Sequence, residues 1–294
     1  MMKETIMPED IELFCCPSCH DKLQYEHNQL LCKSCNEHAL INGRLLDFRG
    51  LTPILPLHMS RTLDTIYDEA GEFEQDLDSG VRGEYTFDVL SRLDKKDIFL
   101  EIGGADGPMT PKIEENFLKV MTLDCSYNFL RRISNKTQKA VCLCGDAHYL
   151  PIQAATVDVV LCTEVLEHVL IPTQLLLEIQ RVMKKDAILV LSVPNEFRLP
   201  FIQKQQNYQS ICDAHLNFYT IDTLRFLMFR MGFKIISMET IKTMKSTSFR
   251  STVSKMITSG LKGFQGEYII CVLAKQADPD FYWTSLRKKI KGEK

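Results

Sequence analysis

The stretch Ile98-Phe-Leu-Glu-Ile-Gly-Gly-Ala-Asp-Gly-Pro108 decides the fold. Ile98, Phe99, Leu100 and Ile102 are apolar and favour a buried strand. Gly103, Gly104 and Gly107 then permit a tight turn and a close approach of backbone to a ligand. Pro108 suits the first turn of a following helix, where no N–H is needed. Strand, glycine turn and helix make the first half of a nucleotide-binding α/β unit. The spacing narrows the ligand. A dinucleotide fingerprint requires G-x-G-x-x-G, and Pro108 stands where its last glycine would be. A phosphate loop requires Gly-Lys-Ser/Thr, which is absent. What is left is acid-x-Gly-x-Ala-x-Gly, with Glu101 at the strand's end.

Working outward, strands and helices alternate from residue 86 onward, which predicts a parallel sheet with helices on both faces. A second strand, Val120-Met-Thr-Leu-Asp124, ends in an acid 17 residues past Gly107. A carboxylate there can accept both hydroxyls of a ribose. Asp124 also suits a helix N-cap, because Ser126 and a helical segment follow. Residues 140–144 form a third strand, leading into Gly145-Asp146-Ala147 and Leu150-Pro151. A fourth, 157–162, runs into Thr163-Glu-Val-Leu-Glu-His-Val169. Two carboxylates and an imidazole thus stand at the carboxyl end of a strand, where open α/β sheets bind ligands. A helix over 172–185 has Leu175, Leu176, Ile179 and Val182 at core spacing, and 187–193 is a fifth strand. Residues 196–217 lack periodicity and lead to His215-Leu-Asn-Phe-Tyr-Thr220; loops this long are usually functional. A helix over 221–231 precedes a sixth strand, 234–240, and a seventh, 266–274, which pairs antiparallel with the sixth. Between those two lies 242–266, with Lys242, Lys245, Arg250, Lys255 and Lys262, most simply a solvated helix.

Near the N-terminus, Leu13-Phe-Cys-Cys-Pro-Ser-Cys19 is followed after twelve residues by Cys32-Lys-Ser-Cys35. Two C-x-x-C knuckles with a hairpin-length spacer are a zinc signal, and the paired thiolates suit a tetrahedral ion. Cys16, Cys19, Cys32 and Cys35 are the ligands by spacing, with Cys15 spare and His20, His27 and His38 as possible substitutes. A redox C-x-x-C is the rival reading. So small a segment needs the metal to fold, so its role is structural, or else recognition or docking. Asn42-Gly43 then marks a turn between two short strands. Residues 51–85 read as a linker and pre-core helix, with helical spacing over 59–73 and an acidic, solvated cluster at Glu72, Glu74, Asp76 and Asp78.

The chain has 294 residues, 45% hydrophobic and 25% charged, which suits a globular protein. Its net charge of −3 disfavours a protein devoted to a nucleic-acid backbone. No apolar run is long enough to span a membrane, and no signal peptide is evident. Five of the eleven cysteines fall within residues 15–35, while Cys125, Cys142, Cys144, Cys162 and Cys271 fall in apparent core strands. Buried free thiols indicate a reducing compartment, hence a cytoplasmic protein. Residues 278–294 form a basic tail carrying Lys288, Lys289 and Lys291.

The glycine turn, with the acids at 101, 124 and 146 and the Thr163–Val169 segment, resembles class I S-adenosylmethionine (AdoMet) methyltransferases over residues 86–277. It departs from their usual motif in Gly104-Ala105 for Cys-Gly and Glu101 for Asp. The resemblance implies a Rossmann-like α/β sheet of seven strands in the order 3-2-1-4-5-7-6, the seventh antiparallel. It also implies AdoMet contacts from Glu101, Gly103, Ala105, Gly107, Asp124, Cys125, Asp146, Ala147, Thr163 and Glu164. Asp146 would accept from the adenine amino group, and the Ala147 N–H would reach a ring nitrogen. For Glu164, Glu167 and His168 three roles stand open: shaping the methionine end of the pocket, general-base catalysis by His168, or a divalent ion as in similar quinone-biosynthesis O-methyltransferases. His215, in a segment similar to one at the cleft of sugar, glycan and lipid-precursor methyltransferases, is the second candidate base. Tyr67 and Tyr85 are candidates for a cofactor lid. Residues 1–50 resemble a zinc ribbon of the Trm112-like type, found alone or fused to methyltransferases. The expected reaction is methylation of an oxygen or nitrogen on a small molecule or a glycan or lipid precursor. A ribosomal RNA base methyltransferase and a non-catalytic scaffold are the alternatives.

Overall fold

The computed structural model describes residues 6–52, 81–94, 97–105, 107, 109–196, 215–241 and 268–276. In chain order its strands are β1 (Gln24–Glu26), β2 (Gln29–Cys32), β3 (Glu37–Asn42), β4 (Leu45–Asp47), β5 (Ile98–Ile102) and β6 (Lys119–Asp124). They continue as β7 (Val141–Cys144), β8 (Val157–Thr163), β9 (Met183–Pro194), β10 (Phe233–Ile241) and β11 (Tyr268–Lys275). The helices are α1 (Pro8–Ile11), α2 (Val81–Ser91), α3 (Thr110–Ile113), α4 (Tyr127–Lys136), α5 (Pro172–Val182) and α6 (Ile221–Arg230). The expected helix over 59–73, Tyr67, the acidic cluster at 72–78, Pro108, most of 196–217, the segment 242–266 and the tail 278–294 lie outside the described residues.

Strands β5 to β8 are near-continuous apolar runs buried on both faces, the pattern of a parallel sheet covered by helices. β5 pairs parallel with β6 and β8, β6 with β7, and β8 with β9. β11 runs antiparallel between β9 and β10. Numbered from β5, these seven strands take the order 3-2-1-4-5-7-6, as expected. Helices close over the sheet where spacing allows. On α4, Phe129, Leu130 and Ile133 are buried, and Ser126 Oγ caps the helix by accepting from the Phe129 N–H at 3.2 Å. The N-cap is therefore Ser126, not Asp124. α5 ends at Val182, not at 185, because Met183 already pairs with Val157 at the start of β9.

The strand count differs from seven because the N-terminal ribbon joins the same sheet, giving eleven strands among the described residues. The ribbon's hairpins β1–β2–β3–β4 end in β4, which pairs parallel with β7: Leu45 with Cys142, Leu46 with Leu143, Asp47 with Cys144. The Phe48 N–H continues the ladder to Cys144 O at 2.8 Å. Leu46 and Phe48 are fully buried in one cluster with Leu123, Leu143 and Leu150. Burial of two such side chains stabilises by about 1.5–3 kcal/mol each. A second seam lies at Phe14, which bridges to Ile152, while the Gln153 N–H donates to Leu13 O at 2.8 Å. Arg181 fixes that segment by donating to the carbonyls of Ile152 (2.7 Å) and Leu150 (2.8 Å), and Glu178 accepts from the Leu150 N–H.

Candidate active site

The carboxyl ends of β5, β6 and β7 each present an acid. Gly103 and Gly107 have φ of +76° and +69°, so the turn after β5 uses backbone that side chains rarely adopt. A Cβ on Gly103 would also stand 2.3 Å from Val165 Cγ2. Ala105 adopts φ +42° and is exposed, so the chain tolerates a methyl group where glycine is usual. Its N–H donates to Asp124 Oδ2 at 2.9 Å, and the Ser126 N–H donates to Asp124 Oδ1 at 2.9 Å. Asp124 thereby ties the turn to the end of β6, and its carboxylate has further lone pairs for a ribose. Glu101, 3% exposed, accepts from the Thr110 hydroxyl. Cys125 is half-buried, and its carbonyl accepts from the Cys144 thiol.

After β7, Asp146 is half-buried and held by a group the sequence did not flag. Buried His148 has Nδ1 2.6 Å from Asp146 Oδ1, and its Nε2 accepts from the Ile171 N–H at 3.1 Å. Those partners leave Nδ1 as the donor, so the imidazole fixes Asp146 relative to the start of α5. Ala147 packs, partly buried, against the core.

After β8, Thr163 is half-buried and Glu164 turns with φ +56°. The Glu164 carboxylate accepts from Ser192 Oγ at 2.7 Å and pairs with Arg82 Nη1 at 3.1 Å. Arg82 comes from α2, is 7% exposed, and lies over the Tyr268 ring. Tyr85, on the same helix, packs against the hydrophobic cluster that includes Leu90 and Phe99. Glu167 is 1% exposed, and neither of its carboxylate oxygens has a hydrogen-bond partner. Burial, and then the Glu164 charge, push its carboxyl well above the usual range. Segment 215–219 docks along this turn: the N–H groups of Leu216 and Asn217 donate to Glu167 O, and Asn217 Nδ2 donates to Val169 O at 2.7 Å. His215 is thereby set edge-on to His168, ring centroids 4.8 Å apart. Burial, then the neighbouring His168, lower His215 to about 4.

A family model described as a methyltransferase domain matches residues 80–238. That is more than half of the chain. The chain belongs to this methyltransferase family. Solved structures share its fold. The complex between the Haloferax volcanii Trm112 methyltransferase activator and a methyltransferase aligns with a TM-score of 0.55 at 14% identity, covering 73% of this chain and 97% of that one. An AdoMet-dependent methyltransferase from Mesorhizobium loti gives 0.51 at 13%, covering 65% and 97%. One from Listeria monocytogenes gives 0.52 at 14%, covering 66% and 97%. No curated protein matches.

The protein is an AdoMet-dependent methyltransferase, and the three acids at consecutive strand ends fit a nucleoside donor. When bound, AdoMet supplies an electrophilic methyl on a sulfonium; Glu101, Asp124 and Asp146 would hold the rest of it. The methyltransferase also carries a four-cysteine centre. Sγ atoms of Cys16 and Cys35 are 3.7 Å apart, those of Cys19 and Cys32 3.5 Å, and all four lie within 4.8 Å. Tetrahedral zinc with bonds near 2.3 Å places its sulfurs about 3.8 Å apart, so the four cysteines fit a structural ion. Each knuckle closes with a left-handed residue, His20 and Asn36. Cys15 points elsewhere, donating to Ile152 O. The metal set read around 164–168 is altered: Arg82 and Ser192 engage Glu164, and His215 joins Glu167 and His168 instead. Spacing had no means of pairing His215 with Glu167. Arg82 gave no signal either, since it acts through a contact distant in sequence, and His148, though two residues from Asp146, also depends on the distant Ile171 N–H. No helix among the described residues is long and apolar enough to cross a membrane.

Proposed function

We propose that this methyltransferase transfers the AdoMet methyl to a hydroxyl oxygen of a small molecule or a glycan or lipid precursor. The observation carrying this is the Glu167–His168–His215 cluster, which stands at the carboxyl edge of the sheet beside Val165, the residue that touches the AdoMet turn. Such a cluster faces an acceptor that must lose a proton, which a hydroxyl does. Leu216 and Phe218 are exposed on the segment that carries His215, which favours an acceptor with an apolar part. His168 and His215 are the catalytic residues of this reading, lowering the cost of that proton loss at the acceptor oxygen. The remaining AdoMet contacts are Gly103, Ala105, Gly107, Cys125, Ala147, Thr163 and Glu164. The ribbon, fused in cis, does for this chain what a separate Trm112 activator does for the Haloferax enzyme, and the buried Cys142, Cys144, Cys162 and Cys271, none of them in a disulfide, suit the cytoplasm.

The test is methyl transfer from labelled AdoMet to fractionated cell extract. Label should enter the small-molecule or lipid fraction. His168→Ala and His215→Ala should each lower turnover by about 10²-fold or more while AdoMet affinity holds. Label confined to RNA, or turnover unchanged in both variants, would reject this reading.

A further inference from the structure

We propose that Glu167, His168 and His215 hold a divalent transition-metal ion whose open coordination positions bind the acceptor oxygen. The ion's existence rests on the cluster alone; its role toward the acceptor rests on the hydroxyl reading above.

The three side chains come from two segments clamped together by backbone hydrogen bonds, from Leu216 and Asn217 to Glu167 O. A ligand atom of each lies within 4.8 Å of the others, and His168 Nε2 is 3.8 Å from Glu167 Oε1. A buried carboxylate without a counter-charge is strongly unfavourable, and native proteins seldom retain one. Glu167 is buried, neither of its oxygens has a hydrogen-bond partner, and the His168 imidazole stands 3.8 Å away, beyond hydrogen-bond reach. His215 Nδ1, in the same cluster, is also buried without a partner. Arg82, whose charge also acts on Glu167, is ion-paired with Glu164 at 3.1 Å. A bound divalent ion answers the Glu167 carboxyl oxygens and the His215 Nδ1 atom together.

The donor chemistry selects the ion. Two imidazole nitrogens and one carboxylate oxygen suit zinc or another first-row divalent metal, and three ligands leave positions open. Bonds near 2.1 Å put neighbouring ligand atoms about 3–3.5 Å apart, so binding would draw the side chains inward by roughly an ångström. The sulfur cluster of the ribbon is chemically separate. An ion in the nitrogen–oxygen site would lower the pKa of a bound hydroxyl, which releases its proton to solvent. The alkoxide oxygen then forms the new bond to the methyl carbon, the carbon–sulfur bond breaks, and its electron pair returns to sulfur as a neutral thioether.

The experiment uses the full chain with zinc on its ribbon, one equivalent by elemental analysis. It is titrated with Co2+, which takes zinc's ligands and has visible d–d bands. One equivalent should bind without a thiolate charge-transfer band, and Zn2+ should displace it. Glu167→Gln and His215→Ala should each weaken binding at least about tenfold, with AdoMet affinity retained. His168→Ala, a quarter exposed, gives a third variant should Glu167→Gln fail to fold. No Co2+ uptake beyond the ribbon, or unchanged uptake in the folded variants, overturns the site. Co2+ bound with no hydroxyl substrate methylated leaves the metal site standing and removes only the acceptor reading.

Discussion

Phe48→Ala is the most informative perturbation of the seam between ribbon and catalytic sheet. Phe48 is fully buried, its ring centroid is 6.0 Å from that of Phe14, and its N–H extends the β4–β7 ladder to Cys144 O. Truncating a buried phenylalanine costs about 3–5 kcal/mol, a large part of a domain's usual 5–15 kcal/mol. If ribbon and sheet unfold as one body, scanning calorimetry should show a single transition lowered by about 5–15 °C. The change should also reach the cofactor. Phe48 lies against Gly145, with its Cβ 3.7 Å from where a Cβ on that glycine would stand, and the Gly145 N–H donates to Asp124 O at 3.1 Å. Calorimetric titration should therefore show weaker AdoMet binding, by a few-fold, in a variant whose substitution is outside the donor site. A separate, early ribbon transition with the main transition and AdoMet affinity unmoved would refute the shared-core reasoning.

Gly103→Ala sets a Cβ against Val165 at φ +76°, at a cost of about 1–3 kcal/mol, and should weaken AdoMet binding by tenfold or more. Adding Val165→Ala should recover part of that loss in the same titration, and no recovery would point to backbone strain alone. His148→Ala removes the imidazole that contacts both Asp146 and the Ile171 N–H, leaving Asp146 only the backbone N–H of residue 148, so AdoMet affinity should fall while the Co2+ titration is unchanged. Chelating the ribbon zinc should release Cys16, Cys19, Cys32 and Cys35 to alkylation and lower the melting temperature of the whole chain. Cys271, pushed by burial to about 12, should stay unalkylated in the native protein between pH 7 and about 10 and react only on unfolding.

The parallel centre of the catalytic sheet was legible because β5 to β8 are near-continuous apolar runs, each with an acid or a glycine at or just past its end, and the resemblance of those motifs to class I methyltransferases supplied the strand order. Cys16, Cys19, Cys32 and Cys35 were equally legible, since knuckle spacing is local. What escaped reading depends on tertiary contact. Leu45-Leu46-Asp47 is too short for a period to reveal its partner, and only the burial of Leu46 and Phe48 places it beside β7. Glu164 and Glu167 look alike in the sequence, yet Arg82 from α2 neutralises one and His215 approaches the other. The helix end predicted at 185 failed for a similar reason. Met183 pairs with Val157 and Lys184 reaches Asp158 Oδ2 at 2.7 Å, and this strand pairing with its ion pair outweighs the helical spacing that precedes it.

The β4–β7 pairing also governs what the sheet offers to other molecules. With the ribbon in place, that side of the sheet ends in β1, three exposed residues, Gln24-Tyr25-Glu26, one of them charged. Short polar strands of this kind make poor templates for intermolecular pairing. Without the ribbon the outermost strand would be β7, Val141-Cys-Leu-Cys144, uncharged and apolar throughout. Such a strand recruits a second chain edge to edge. Zinc starvation would then show itself first as self-association, with one ion at Cys16, Cys19, Cys32 and Cys35 keeping a distant strand from becoming sticky.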